Sequence, residues 1–274
     1  MTARALVISG SGINCEEETA AAFRLAGAEA EVASLNALLA GRVELRRSQV
    51  VVFPGGFSFG DDLGAGKALA NRVRYRRLPS GRPFFAELQG FLADGGFLLG
   101  ICNGFQVLVK TGLLPNIGGE CRQEISLTRN ASGRFEDRWV HCATGGRTAT
   151  PVLAGIGVIA LPIRHGEGRL VITDPAVRQA VIDRGLACLT YCHPDGTPAT
   201  EYPALPNGSD LSCAALTDPT GRVLGLMPHP EAHLSLYNHP NWPLLKRRDP
   251  RRSEDGEGLA IFRNIVHHLE SSGS

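Results

Sequence analysis

The 274-residue chain has no uninterrupted apolar run long enough to cross a bilayer. Its first ten residues enter a strand-like apolar run at once, without the basic start and small-residue cleavage site of a secretory leader. The seven cysteines include no Cys-x-x-Cys pair, and their odd number fits no disulfide framework. A reducing cytoplasm is therefore the expected compartment. Charge of one sign is lacking too: Lys+Arg 28 against Asp+Glu 27 leaves a net charge of +1. That balance gives no general attraction to nucleic acid or to a membrane surface, and neither is expected as a partner. There is no Walker-type phosphate loop, no internal repeat and no low-complexity tract. Gly10-Ser11-Gly12 begins a dinucleotide fingerprint, but Cys15 stands at the third glycine position. Glu16, Glu17 and Glu18 would repel a pyrophosphate there; with Asn14 before them they fit a helix cap and an acidic first turn. Cys188, Cys192 and His193 are close in sequence, yet without a second thiol pair they do not make a zinc pattern, and no metal is expected.

What is present reads as an α/β protein. Residues 5–9, 30–35 and 49–53 read as strands and 16–26 as a helix. Helical patterns follow over 63–75 and 84–93, and an apolar strand then leads to Cys102. Strand–helix alternation predicts a mostly parallel sheet flanked by helices, with its site beyond the carboxyl ends of the strands. The second half differs. Short strand candidates at 125–127, 138–141, 157–161, 187–192 and 223–227 are separated by Gly, Pro, Asn and Asp turns, and predict antiparallel extensions of that sheet. A closing helix is expected over 258–269. The chain reads as a single domain, 1–274, with insertions near 72–82, which carries five arginines, and near 232–254.

The most informative stretch is Gly100-Ile101-Cys102-Asn103-Gly104-Phe105-Gln106. A buried strand ends in Gly-x-Cys-x-Gly and a helical spacing follows, the layout of a nucleophile elbow with cysteine in the place of serine. The glycines allow the sharp turn, which aims Cys102 at the unpaired N–H groups of the helix start. The same residues would also suit a cysteine that is simply buried at a strand end. A nucleophile needs a base, and the base an orienting group. Met227-Pro228-His229-Pro230-Glu231 offers both. The prolines predict an extended stretch in which His229 and Glu231 share one face. His165-Gly166-Glu167-Gly168 repeats the spacing in a more flexible, glycine-flanked setting and is the rival. The backbone N–H of Asn103 and the turn Pro54-Gly55-Gly56-Phe57 are candidate donors to an oxyanion.

Taken together these blocks resemble the class I glutamine amidotransferases and, within them, the glutaminase subunits that serve phosphoribosylformylglycinamidine synthase. Gly12-Ile13-Asn14-Cys15, Pro54-Gly55-Gly56-Phe57-Ser58-Phe59-Gly60-Asp61, the Cys102 block, the block from Asn130 through Gly133-Arg134-Phe135-Glu136-Asp137 to Val140, His165-Gly166-Glu167-Gly168 and Met227-Pro228-His229-Pro230-Glu231 occur in family order over most of the chain. The resemblance implies a flavodoxin-like fold and a Cys102–His229–Glu231 triad that releases ammonia from L-glutamine. It also implies oxyanion contacts from Gly56 and Asn103, and a part for Gln106 in holding substrate. The ammonia would pass to a synthetase subunit, with a small accessory subunit beside it. ATP and magnesium would be held by that partner, and no cofactor by this chain. Ala232 departs from the arginine usual after His-Pro-Glu, Leu205 from an asparagine, and 169–201 diverges. The alternatives are another class I amidotransferase or a non-catalytic binding subunit on the same fold.

Overall fold

The structure is a computed structural model and describes residues 2–145 and 150–272; Met1, residues 146–149 and residues 273–274 lie outside the described residues. The first half runs β1 (Arg4–Ser9), α1 (Glu16–Leu25), β2 (Glu29–Ser34), α2 (Leu35–Leu39), β3 (Val50–Phe53), α3 (Lys67–Tyr75), α4 (Phe84–Ala93), β4 (Phe97–Ile101) and α5 (Asn103–Lys110). The second half runs β5 (Ser126–Thr128), β6 (Glu136–Thr144), β7 (Val158–His165), β8 (Arg169–Val171), α6 (Pro175–Asp183), β9 (Leu189–Cys192), β10 (Cys213–Thr217), β11 (Val223–Leu226), α7 (Trp242–Arg248) and α8 (Leu259–Ser272).

The main sheet has nine strands in the order β2-β1-β3-β4-β11-β10-β9-β6-β7. From β2 to β11 every neighbour is parallel. From β11 onward every pair is antiparallel. The chemistry of the strands explains the division. β3, β4 and β11 are buried at every residue and read as continuous apolar runs, as strands covered on both faces must. β6 mixes buried positions (Glu136, Val140 and Cys142) with half-exposed and exposed ones, unlike those doubly covered strands. α1 and α8 pack together, with Phe23 and Phe262 edge to face at 5.1 Å. β5 and β8 form a separate antiparallel pair. No helix of the described residues is long and apolar enough to cross a membrane.

Two features position the site. β3 and β4 end side by side, so the turn after Phe53 lies next to the turn after Ile101. The far edge strand β7 then returns to these ends: His229 N–H donates to Pro162 O at 2.8 Å, and the Cys102 thiol lies 3.5 Å from Arg164 O.

Five elements were not expected from sequence: α2, β8, α6, β10 and α7. β10, Cys-Ala-Ala-Leu-Thr, is wholly buried and carries small residues with no alternation to betray it. α6 had a legible start, since Asp174 caps it by accepting from Ala176 N–H and Pro175 is its first residue. At α1 the cap position belongs to Cys15, not Asn14, and no side chain caps it. The helix expected from 63 begins at Lys67, after a turn through Gly64 and Gly66.

The arginines of 72–82 are partly structural. Arg72 and Arg74 lie in α3, where Arg72 reaches Asn36 Oδ1 at 2.9 Å and Arg74 donates to the carbonyls of Thr111 and Cys121. The 232–254 segment contains α7 and is tied at its ends by Leu236 N–H to Glu254 O at 2.8 Å. Its His233 and His239 pack on Trp139 of β6, with ring centroids 4.8 and 4.5 Å away.

Candidate active site

The elbow forms as its glycines dictate. Cys102 sits between β4 and α5 at φ 50°, ψ −102°, a strained conformation for a residue with a side chain. Its N–H is held by Leu226 O at 2.7 Å, across to β11. The turn is tolerated because α5 lies directly on β3 and β4. A Cβ on Gly104 would stand 1.8 Å from Phe53 O, and one on Gly100 would stand 2.8 Å from the Gly104 backbone. The thiol is only 5% exposed, shut beneath the end of β7.

β11, parallel to β4, delivers the base to the same end of the sheet. The stretch after it does not stay extended. Pro230–Ala232 closes into a 3-10 turn, and this turn, not strand alternation, brings the two side chains together. His229 Nδ1 and Glu231 Oε1 are 2.6 Å apart, and both residues are 2% exposed. With the carboxylate accepting from Nδ1–H, the Nε2 nitrogen is left without a partner in the protein. Burial by itself disfavours a charged imidazole. The Glu231 carboxylate, followed by the Cys102 thiol in contact with the ring, overrides burial and holds the His229 pKa well above its ordinary value. Carboxylate and imidazole are thus hydrogen-bonded and the thiol stands beside the ring, the arrangement that proton transfer to or from a group attached at sulfur requires.

The donors expected for an oxyanion lie on the two adjacent turns that follow β3 and β4. Gly56 makes an isolated bridge with Ile13, whose hydrogen bonds come from the neighbours: Asn14 N–H to Gly55 O at 3.3 Å and Phe57 N–H to Gly12 O at 2.6 Å. The N–H of Gly56 itself is not spent in that bridge. Asn103 opens α5, where helix geometry leaves the first N–H groups unpaired. The Asn103 side chain ties the two turns together: its Oδ1 accepts from Ser58 N–H at 3.3 Å and its Nδ2 donates to Gln106 Oε1 at 2.9 Å. Gln106 Nε2 in turn donates to Glu167 O at 2.6 Å. The Gln106 amide is therefore engaged at both ends, its oxygen by Asn103 within α5 and its nitrogen by the 165–168 turn. Asp61, whose carboxyl burial pushes up, accepts from Gly66 N–H and Asn103 Nδ2.

The rival pair does not form a second base. His165 is 2% exposed, and its Nδ1 faces Asn130 Oδ1 at 3.1 Å. Asn130 Nδ2 donates to the carbonyls of Arg134 and His165, so its oxygen is the acceptor for the ring N–H. Burial and the nearby His229 hold the His165 pKa down at about 3. Glu167 points elsewhere, accepting from Ala65 N–H at 3.1 Å. Cys188, Cys192 and His193 are not gathered as ligands. Among the described residues, the one group offering clustered metal-ligating atoms is Cys15, His229 and Glu231, all within 4.8 Å of one another.

Two residues of the site stood in family-like blocks of the sequence without being assigned a part in it. Asn130 holds the His165 turn, and its only signal was its place in the block before Gly133-Arg134-Phe135. Cys15 touches the ring of His229 from α1, 87 residues before the Cys102 thiol in the chain.

Residues 2–269 match the CobB/CobQ-like glutamine amidotransferase domain. The phosphoribosylformylglycinamidine synthase subunit PurQ of Dehalococcoides mccartyi is 41% identical over 263 residues, covering 96% of each chain. The subunit of the same name from Methanococcus maripaludis is 38% identical over 274 residues, covering 97% of each. Among solved structures, a chain of PurLQS from Thermotoga maritima superposes with a TM-score of 0.70 at 26% identity, covering 98% of this chain and 100% of that one.

Proposed function

This chain belongs to the CobB/CobQ-like glutamine amidotransferase family, among the glutaminase subunits of phosphoribosylformylglycinamidine synthase, and from that premise we propose that Cys102, His229 and Glu231 are its catalytic triad. The Cys102 thiol gives its proton to His229, and its sulfur attacks the side-chain amide carbon of L-glutamine. The oxygen of the tetrahedral intermediate takes hydrogen bonds from the N–H groups of Gly56 and Asn103. His229 gives a proton to the departing nitrogen, which leaves as ammonia, and a glutamyl thioester remains on Cys102. Water then attacks the thioester, His229 takes its proton, and glutamate is released as the thiol reforms. Glu231 holds the imidazole in the tautomer that presents Nε2 and stabilises it when charged. Gln106 supports the site by holding the 165–168 turn over α5.

The ammonia is delivered to a synthetase subunit that converts formylglycinamide ribonucleotide to its amidine in purine biosynthesis. Assembly with that subunit and a small accessory subunit follows the PurLQS assembly, one chain of which this protein resembles. ATP and magnesium act on the synthetase, and the reaction runs in the cytoplasm. The observation that carries the triad is the buried 2.6 Å His229–Glu231 contact set against the thiol of a strained elbow.

The test is amidine synthesis by the assembled protein with either glutamine or ammonium chloride as nitrogen source. Cys102→Ala should abolish the glutamine-dependent rate and leave the ammonia-dependent rate intact. A Cys102→Ala assembly that still used glutamine would remove the thiol from the mechanism.

A further inference from the structure

The proposed triad uses one thiol, but a second presses on the same imidazole. Cys15 stands at the start of α1 and is 6% exposed. Its sulfur lies within 4.8 Å of a ring nitrogen of His229 and of the Glu231 carboxylate, and its thiol donates to Asn14 Oδ1 at 3.3 Å. A Cβ built on Gly55 would lie 3.1 Å from Cys15 Sγ, 2.7 Å from His229 Cε1 and 3.3 Å from His229 Nδ1. Thiol and imidazole therefore share the recess that Gly55 leaves by having no side chain. The backbone joins them as well: the N–H groups of Asn14 and Cys15 both donate to Gly55 O at 3.3 Å. The C=O of Cys15 is fixed within α1 by Thr19 Oγ1 at 2.6 Å.

We propose that Cys15 is a positioning residue, which wedges the His229 ring between Glu231 and Cys102 and locks it to the Gly55–Gly56 turn. This rests on the triad assignment above. Without Cys15 the imidazole is held at Nδ1 by Glu231 and by its own backbone, and is free to swing about Cβ away from the elbow. Burial and the Glu231 carboxylate push the Cys15 thiol up, so it stays S–H and bears on the ring as a neutral wedge. Cys15 approaches the ring from α1, and Cys102 from the elbow. The groups facing His229 are then Glu231 on its own turn, Cys102 from the start of α5, Cys15 from α1 and the neutral His165 from β7.

The experiment compares Cys15→Ala, Cys15→Val and Cys15→Ser in steady-state glutamine hydrolysis by the assembled protein. Alanine leaves a gap; valine keeps the core filled but offers no hydrogen bond; serine keeps a small polar wedge. The proposal expects a ten- to hundredfold fall in kcat for the alanine and valine variants, with KM for glutamine unchanged. It expects the basic limb of the kcat–pH profile to move to lower pH in both, because the Cys15 contact favours the charged imidazole. Serine should restore kcat to within a few-fold. Wild-type kcat and pH profile in the valine variant would overturn the proposal, as would a rise in KM matching the fall in kcat. Cys102→Ala, run alongside, separates the two claims. If it is active, the triad assignment fails; if it is dead while Cys15→Val is normal, only the wedge fails.

Discussion

Alanine at position 55 would put a methyl carbon 2.7 Å from His229 Cε1, where ordinary contact begins near 3.4 Å. The backbone of Gly55 is not in the positive-φ region, unlike that of Gly56, so the substitution acts through space and not through strain of its own residue. The ring cannot evade the methyl by sliding along the chain. His229 lies between two prolines, and its N–H is fixed to Pro162 O at 2.8 Å. It must swing back by about 0.7 Å, a displacement that orientation arguments equate with roughly a 10²-fold loss of rate. That corresponds to about 2.7 kcal/mol of transition-state stabilisation. Glutamine hydrolysis by the assembled Gly55→Ala protein reads the loss, while ammonia-dependent synthesis and thermal melting report whether the fold and the assembly survive. A variant that folds, assembles and hydrolyses glutamine within threefold of wild type would refute the claim that His229 works from its observed position.

Other expectations follow from the same contacts. His229→Ala should lower kcat by about 10³-fold or more, the scale on which a triad member acts, and His165→Ala far less; the reverse order would move the base role to His165. Glu231→Gln should lose about 10²- to 10⁴-fold in kcat with the fold preserved, because the ring loses the partner that sets its tautomer. Asn130→Ala should destabilise the protein by about 2–4 kcal/mol in denaturant melts, since it strands the buried Gly168 N–H and the His165 ring at once. Stability should fall as pH drops from 6.5 toward 3. Unfolded His165 takes up a proton that the folded state refuses, a slope of up to about 1.4 kcal/mol per pH unit. His141, His233 and His239, whose pKa values burial also lowers, add in the same direction. His229 works with the opposite sign: its contribution is complete below pH 6.5 and is lost as pH rises through its elevated folded pKa. Chemical denaturation of wild type and His165→Gln at pH 7.5, 5.5 and 4.5 checks this, the variant being expected to lose part of the acid slope.

The parallel half of the sheet was legible because its strands are buried on both faces, and continuous apolar runs such as Val50–Phe53 and Phe97–Ile101 have few other uses. The elbow was legible for a related reason: Gly100 and Gly104 sit where α5 touches β3 and β4 too closely for any side chain. The His229–Glu231 spacing was read correctly for the pairing but not for the geometry, since a 3-10 turn and not an extended strand joins them. What could not be read depends on distant chain. The return of β7 over Cys102 comes from four antiparallel steps of the sheet, one of them through the small-residue strand β10. The Gln106–Glu167 bond spans 61 residues, a contact no local pattern announces. Cys15 had been read as the residue that spoils a dinucleotide fingerprint and as the end of the Gly12-Ile13-Asn14-Cys15 block, with no part assigned to it in the site. Its contact with His229 exists because α1 starts beside the Gly55 turn, a juxtaposition created by the pairing of β1 with β3.

Covalent labelling tests the central claim most directly. The assembled protein is incubated with the glutamine analogue 6-diazo-5-oxo-L-norleucine, and the modified residue is located by mass spectrometry, with Cys102→Ala as control. A single adduct on Cys102, absent from the control, is the predicted result. An adduct on Cys15 or another cysteine, or no adduct at all in an assembly that still uses glutamine, would contradict the account.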